Sequence, residues 1–337
     1  MRQAIGILLI GCSTIWSCSQ PETIDLSFEH VETGLDADEQ TLQSIQKVGK
    51  MYIVTYHGNY KERLEWLNDY HVTESSKLDN KSNCSLFAAY TETKNLFLGR
   101  NFDRLSETPV LGKFSAPGKY SSFAFSPGSE VYIESIVGNA KPTEEQKDQF
   151  LYCLPFYATD GINEKGLSIA IAGAPSRRII HSEQREPMFV LLFIRHVLDN
   201  CKDVNEVAQF AESVSLYDSD LGTISHHFIV VDASGQWLII DYPDGNLRLK
   251  RGQGESQART NHFLEGGPAI DNTSFWRYDK LNKALSSSDS MVSDREAMDL
   301  LRHVRHDTQW SVVYNPKISQ GLVAIQENYK TQYRFGF

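Results

Sequence analysis

The sequence predicts an α+β fold with stacked layers. Three observations carry this: short strand-like runs crowd the stretch after Cys84, a helical block interrupts them over 187–213, and strands resume to the C-terminus with no internal repeat. Taken in order, residues 42–48 have helical spacing and lead into Met51-Tyr-Ile-Val-Thr-Tyr-His57, a β-branched and aromatic strand, followed by a helix over 60–70. The polar run 74–83 suits an exposed, cleavable loop. Strands are expected at 85–90, 95–98, 121–125, 131–136 and 167–172. Apolar residues on most turns of 187–200, and again over 203–213, give two helices. His227 to Asp232 and Gln236 to Tyr242 flank Ala233-Ser-Gly235 as a hairpin. Ser293 with Glu296 three residues on reads as a capping box, and 311–314 and 321–326 close the chain as strands.

The 337 residues allow one large core or two domains, and 41% hydrophobic with 23% charged residues excludes disorder as the main state. Thirty-three basic against 43 acidic residues leave a net charge of -10, which argues against nucleic acid, because that binding is driven by Lys and Arg. Five cysteines are too few for a disulfide scaffold. Cys153 and Cys201 are read as free or bonded, with no preference.

Met1-Arg-Gln3 and the apolar stretch after it form a short positive end and a signal-like core, too short to span a bilayer, which takes about 20 apolar residues. Small residues precede both Cys12 (Gly11) and Cys18 (Ser17), so both read as bacterial lipoprotein cleavage sites. Cys18 is favoured, with a signal over 1–17, and Cys12 is the alternative; a plain secretory signal or a buried first strand competes. Two acyl chains suffice for stable anchoring, which implies a membrane-anchored lipoprotein facing the periplasm or cell surface. Residues 20–40, acidic and short of large apolar side chains, suit a tether.

Cys84 heads a strand. A lone thiol is more often inert packing than a nucleophile. Its company is more specific: Gly99-Arg100-Asn101-Phe102-Asp103 ends the next strand, so a hairpin would set a guanidinium and a carboxylate beside the thiol. Arg100 would lower the thiol pKa and Asp103 would orient an amine, the bland alternative being a structural Arg–Asp pair. His226, His227, His303 and His306 have no third ligand at metal spacing, so no metal is expected. Asp160 and Asn163 read as shaping a turn before a central strand, with direct catalysis as the alternative, and Trp310 and Ser311 as core and strand-edge residues.

Cys84-Ser-Leu-Phe-Ala-Ala89, followed by Leu98-Gly-Arg-Asn-Phe-Asp103 with the Arg 16 and the Asp 19 positions after the Cys, resembles the linear-amide hydrolases of the N-terminal-nucleophile (Ntn) superfamily. That family includes choloylglycine (bile salt) hydrolases, penicillin V acylases and acyl-coenzyme A:6-aminopenicillanic acid acyltransferases. Further similar stretches are Asp160 to Ala170, Ala258-Arg-Thr-Asn-His-Phe263, Ser274 to Leu281 and Thr308 to Tyr314, while Tyr52 to Tyr60 resembles the pro-segment of the acyltransferase-like branch. The resemblance covers about residues 50–337.

It implies a four-layer αββα sandwich, a tether and pro-segment over 18–83, and a catalytic domain over 84–337. Cleavage between Asn83 and Cys84 would free an α-amine, which serves the thiol as its own base and has a pKa near 8. On this resemblance Cys84 is nucleophile and base, Asp103 hydrogen-bonds the amine, Arg100 tunes the thiol, Asn261 donates to the oxyanion, Arg277 stabilises the site, and Gly173 supplies a backbone oxyanion donor. Gly173 stands where bile salt hydrolases carry an asparagine, which counts against bile-salt specificity. The implied activity is cleavage of a small-molecule linear N-acyl amide through an acyl-thioester on Cys84, without a cofactor; homo-oligomerisation is left open. Three rivals remain: acyl transfer to an amine, a non-catalytic surface binding lipoprotein, and a Cys–His protease using His226, His227 or His262, for which cleavage before Cys84 is unnecessary.

Overall fold

The computed structural model describes residues 20–28, 34–73, 83–91, 93–137, 143, 147, 150–151, 156–179, 184–218, 222–286 and 293–337. The signal over 1–17, both lipidation candidates Cys12 and Cys18, the polar run 74–82 and Cys153 lie outside the described residues.

Among the described residues the strands are β1 (Glu22–Asp25), β2 (Gln46–Val48), β3 (Met51–Tyr56), β4 (Asn83–Tyr90), β5 (Leu96–Asp103), β6 (Thr108–Phe114), β7 (Ser122–Gly128), β8 (Asp160–Asn163), β9 (Ser168–Arg178), β10 (Glu186–Phe189), β11 (Val214–Tyr217), β12 (Thr223–Val231), β13 (Gln236–Asp241), β14 (Arg248–Gln253), β15 (Gln257–Arg259), β16 (Thr308–Asn315), β17 (Gln320–Ile325) and β18 (Thr331–Gly336). The helices are α1 (Ala37–Gln43), α2 (Lys61–Thr73), α3 (Glu130–Val137), α4 (Val190–Asn200), α5 (Val204–Ser213), α6 (Ser274–Leu285) and α7 (Asp294–His303). One sheet runs β1-β18-β17-β16-β5-β4-β15, and a larger one runs β14-β13-β12-β9-β8-β7-β6-β3-β2.

The two sheets stack because their central strands are apolar on both faces. Along β9, Ala170 and Ala172 face the other sheet while Ile169 and Ile171 face helices α4 and α5; β12 divides Ile229 and Val231 from Phe228 and Val230 in the same way. On β4, Leu86 and Ala88 point between the sheets, and Phe87 and Ala89 pack under α6 and α7 with Leu281, Met298 and Leu301. The order is helices, sheet, sheet, helices, the αββα sandwich. Each buried Leu, Ile or Phe in these three interlayers contributes about 1.5–3 kcal/mol.

Several expectations shift. Residues 131–136, read as a strand for their β-branched content, lie in α3, where Ile133 and Ile136 at helical spacing bury against Tyr52, Val54 and Val110. The helix expected over 187–200 starts at Val190, and 186–189 instead pair in parallel with β11. Helix α1 stops at Gln43, and 46–48 form a strand. The tether reading of 20–40 misses β1, which pairs in parallel with β18 along Glu22–Asp25. The capping box at Ser293 and the hairpin of β12 and β13 are as expected.

The chain before Cys84 is woven into the larger sheet. Strand β3 lies between β2 and β6, with Met51, Tyr52, Ile53, Val54 and Tyr56 buried. Beyond it, the Tyr60 hydroxyl donates to Asp199 on α4 at 2.8 Å, beside the buried Arg195–Asp199 pair at 2.7 Å.

Candidate active site

Cys84 is the second residue of β4 and is 1% exposed. In the antiparallel pairing with β5, Asn83 faces Asp103, Cys84 faces Phe102 and Leu86 faces Arg100. Residues two apart on a strand share a face, so Arg100 lies on the thiol's side. Its Nη2 reaches Cys84 Sγ at 3.9 Å. Burial nevertheless pushes the thiol pKa up; the Arg100 charge opposes that without overcoming it, so the expected lowering is outweighed.

Arg100 does not pair with Asp103. Its ion pair is with Asp160 on β8, on the opposite sheet, and Nη1 also bonds Thr159 Oγ1 at 3.2 Å. Asp160 further accepts from Trp310 Nε1 at 3.2 Å and from the Tyr314 hydroxyl. Asp160 is therefore part of the site's support, which corrects its reading as a turn residue. Asn163 does shape the turn: its Oδ1 accepts from the backbone N–H of Lys165 and Leu167. Trp310 is core, stacked on Phe102 at 4.0 Å, while Ser311 sits in a strand flanked on both sides. Trp310 and Phe102 also face the Arg100 guanidinium at 5.3 and 4.7 Å.

Arg277, on the first turn of α6, is fully buried and addresses the backbone of Cys84. Its Nη1 donates to the Cys84 carbonyl at 2.5 Å and to Ser85 Oγ at 3.0 Å; its Nη2 donates to Asn261 Oδ1 at 2.8 Å and to Asp271 Oδ2 at 2.9 Å. Asp103 Oδ2 lies 3.9 Å from Arg277 Nη1 with no hydrogen-bond partner, while Oδ1 accepts from Thr308 Oγ1 at 2.5 Å. Burial raises the Asp103 carboxyl to about 8 against the pull of Arg277.

Asn261 follows β15 and joins these groups. Its Oδ1 accepts from the Cys84 N–H at 2.8 Å, and its Nδ2 donates to the Gly173 carbonyl at 2.9 Å. The neighbours dictate this amide orientation: two donors meet its oxygen and an acceptor meets its nitrogen. The expected oxyanion pair is thus arranged differently here. The Asn261 donor is engaged by Gly173, and Gly173 meets it through C=O rather than N–H.

Cys84, Arg100, Thr159, Ile171, Gly173, His226 and their neighbours line a cavity of about 50 Å³. His227 is fully buried 3.7 Å from Asp241, His262 bonds Ser274 Oγ at 2.9 Å, and His303 bonds the Asp299 carbonyl at 2.6 Å. Cys201 is a buried free thiol, pushed up to about 12 by burial. Sequence reasoning missed Asp160 and Asp271 as partners of the two arginines; a carboxylate next to Gly161 and one six residues before Arg277 were the only signals.

A mutant conjugated bile acid hydrolase from Clostridium perfringens superposes with a TM-score of 0.52 at 14% identity, over 75% of this chain and 92% of that one. This chain has the Ntn-hydrolase fold. Residues 154–316 of this Ntn-fold chain match the family model described as acyl-coenzyme A:6-aminopenicillanic acid acyl-transferase. Penicillin V acylase from Agrobacterium tumefaciens is similar at a TM-score of 0.49 and 18% identity, over 72% of this chain and 83% of that one. No curated protein matches the Ntn-fold chain significantly.

Proposed function

We propose that the chain is an autoprocessed cysteine Ntn amidohydrolase that cleaves linear N-acyl amides through an acyl-thioester on Cys84. One observation carries the reading: three buried groups each hold a different atom of one residue, Asn261 at the Cys84 N, Arg277 at its carbonyl and Arg100 at its sulfur. An inert core thiol has no need of such an arrangement. In the first step Sγ attacks the Asn83 carbonyl carbon, the C–N bond to Cys84 breaks and frees its α-amine, and water then hydrolyses the resulting thioester to release the Asn83 carboxylate and the thiol. The new ammonium keeps Asn261 Oδ1 as its acceptor, and Asp103, with Oδ2 unpartnered, stands opposite the neighbouring Asn83 in the strand pairing. In turnover the amine takes the thiol proton as sulfur bonds to the acyl carbon, and it returns that proton to the departing amine.

The division at Cys84 makes 18–83 a pro-segment and 84–337 the nucleophile-bearing part. Cys18 is proposed as the lipid anchor, which would set the enzyme on a membrane facing the periplasm or outside; loss of acyl-chain labelling in Cys18→Ser tests that. Acyl transfer to an amine is the second reading, favoured by the family description over 154–316. Both readings share the thioester, so product analysis distinguishes them. A panel of N-acyl amino acids, penicillin V and conjugated bile acids is incubated with and without an added amine. Hydrolysis products that vanish in Cys84→Ala support the amidohydrolase, a new amide formed only with the amine supports transfer, and no turnover of any amide by processed protein refutes both.

A further inference from the structure

The cavity at Cys84 is biased in charge. Arg100, Arg104 and His226 line it, and among the described residues no acidic side chain does. Two of these three are already committed. Arg100 is paired with Asp160, and His226 Nδ1 meets the buried Asp218 at 2.9 Å. Arg104 differs: its ion pair runs from Nε to Glu107 Oε1 at 3.3 Å, while Nη1 and Nη2 meet no partner among the described residues. A guanidinium held at Nε still presents its two Nη groups as a fork, the geometry that grips a carboxylate by two hydrogen bonds.

Strand geometry explains how that fork comes to the cavity. Cys84 faces Phe102 across the β4–β5 pair, and Arg104 follows two residues on, continuing the face that Arg100 and Phe102 occupy. One such step is about 7 Å, so Arg104 rises just past the residue paired with Cys84. Its side chain is 29% exposed, which sets it at the mouth of the cavity, and Phe102, Ile171 and Leu191 make an apolar wall. Residues 104–107 then turn from β5 into β6 of the other sheet, with Ser106 at φ +66° in the left-handed region that tight turns use. The turn brings Glu107 back to Arg104. Burial pushes the Glu107 carboxyl up against the pull of Arg104, so it is a weak competitor for a second anion.

We propose that Arg104 is a specificity residue that binds a carboxylate of the substrate. The substrate class is then a small linear amide with a carboxylate two or three bonds from the scissile C–N bond and an apolar remainder against Phe102, Ile171 and Leu191. This names the substrate for the amidohydrolase reading above and rests on the Cys84 cavity being its site.

N-butyrylglycine carries such a carboxylate on the departing amine, and N-ethylsuccinamate carries it on the acyl part. One uncleavable ketone, 4-oxoheptanoate, is the isostere of both, and 4-oxoheptanamide is its neutral counterpart. Calorimetric titration of the purified protein with the two ketones therefore measures binding apart from turnover. Wild type is expected to bind the carboxylate about 10- to 100-fold more tightly than the amide. Arg104→Met is expected to erase that ratio by weakening the carboxylate alone, and in turnover of the two acids to raise KM with kcat unchanged. Glu107→Gln keeps an acceptor for Nε and removes the competing charge. It is expected to tighten the carboxylate and leave the amide as it was, and it decides the matter if Arg104→Met does not fold. Equal affinity for the two ketones in wild type, or a ratio that these variants leave unchanged, overturns the proposal. Cleavage of one acid over the other supports it and places the carboxylate on the amine or the acyl side. A ratio that holds with no amide cleaved supports the carboxylate site and refutes the amidohydrolase reading.

Discussion

Two buried arginines flank Cys84 and hold different parts of it. Arg100 comes from the neighbouring strand, faces the sulfur, and is tied to Asp160 on the opposite sheet. Arg277 comes from a helix on the outer layer, grips the Cys84 carbonyl and Asn261, and is tied to Asp271. The first is placed to govern the thiol and the second to govern the Cys84 carbonyl and the Asn261 amide that meets the Cys84 N–H. Burial of either guanidinium without a partner would be costly, so each brings its carboxylate with it.

Substitution has its largest expected effect at Arg277. Arg277→Met removes donors to five groups, Thr273, Cys84, Ser85, Asn261 and Asp271, and strands Asp271; breaking such a buried pair is expected to lower unfolding stability by about 3–5 kcal/mol, read by chemical denaturation, with cleavage before Cys84 lost. Arg100→Met should cost less in the backbone arrangement yet raise the thiol pKa further, seen as slower alkylation of Cys84 by iodoacetamide at fixed pH; Arg277→Met should slow alkylation less. Equal effects of the two variants on alkylation would erase the distinction.

Asp103 offers a pH test. Its carboxyl rises from 3.8 in the unfolded chain to about 8 in the fold, mainly by burial, so the folded state binds the extra proton. The stability it contributes is present below about pH 4 and fades as pH climbs through 8. Asp103→Asn should flatten the stability profile across that window. The smallest effect is in the chain before Cys84: Tyr60→Phe removes one donor from buried Asp199 and should cost about 1–3 kcal/mol in thermal or chemical unfolding.

The local parts of the site were legible in the sequence, and the non-local parts were not. A hairpin with a 16-residue spacing places Arg100 near Cys84 because strand pairing makes that geometry almost unavoidable. Asp160, by contrast, reaches Arg100 across the two sheets, and its run Asp160-Gly-Ile-Asn163 has turn chemistry of its own that hides the ion pair. The helix over 130–137 was misread for a related reason: its β-branched residues favour a strand locally, and packing on Tyr52 and Val110 overrides that preference. The layers were readable from the two-faced apolar strands, whereas the paired edge strand at 22–25 has a polar sequence with every residue exposed and carries no burial signal.

The central claim is that Cys84 frees its own amine. Intact mass of purified residues 19–337 tests it most directly. Two fragments meeting between Asn83 and Cys84 are expected, held together under native conditions because β3 sits inside the larger sheet, and a single chain for Cys84→Ala. A wild-type chain that stays in one piece and still hydrolyses amides would contradict it.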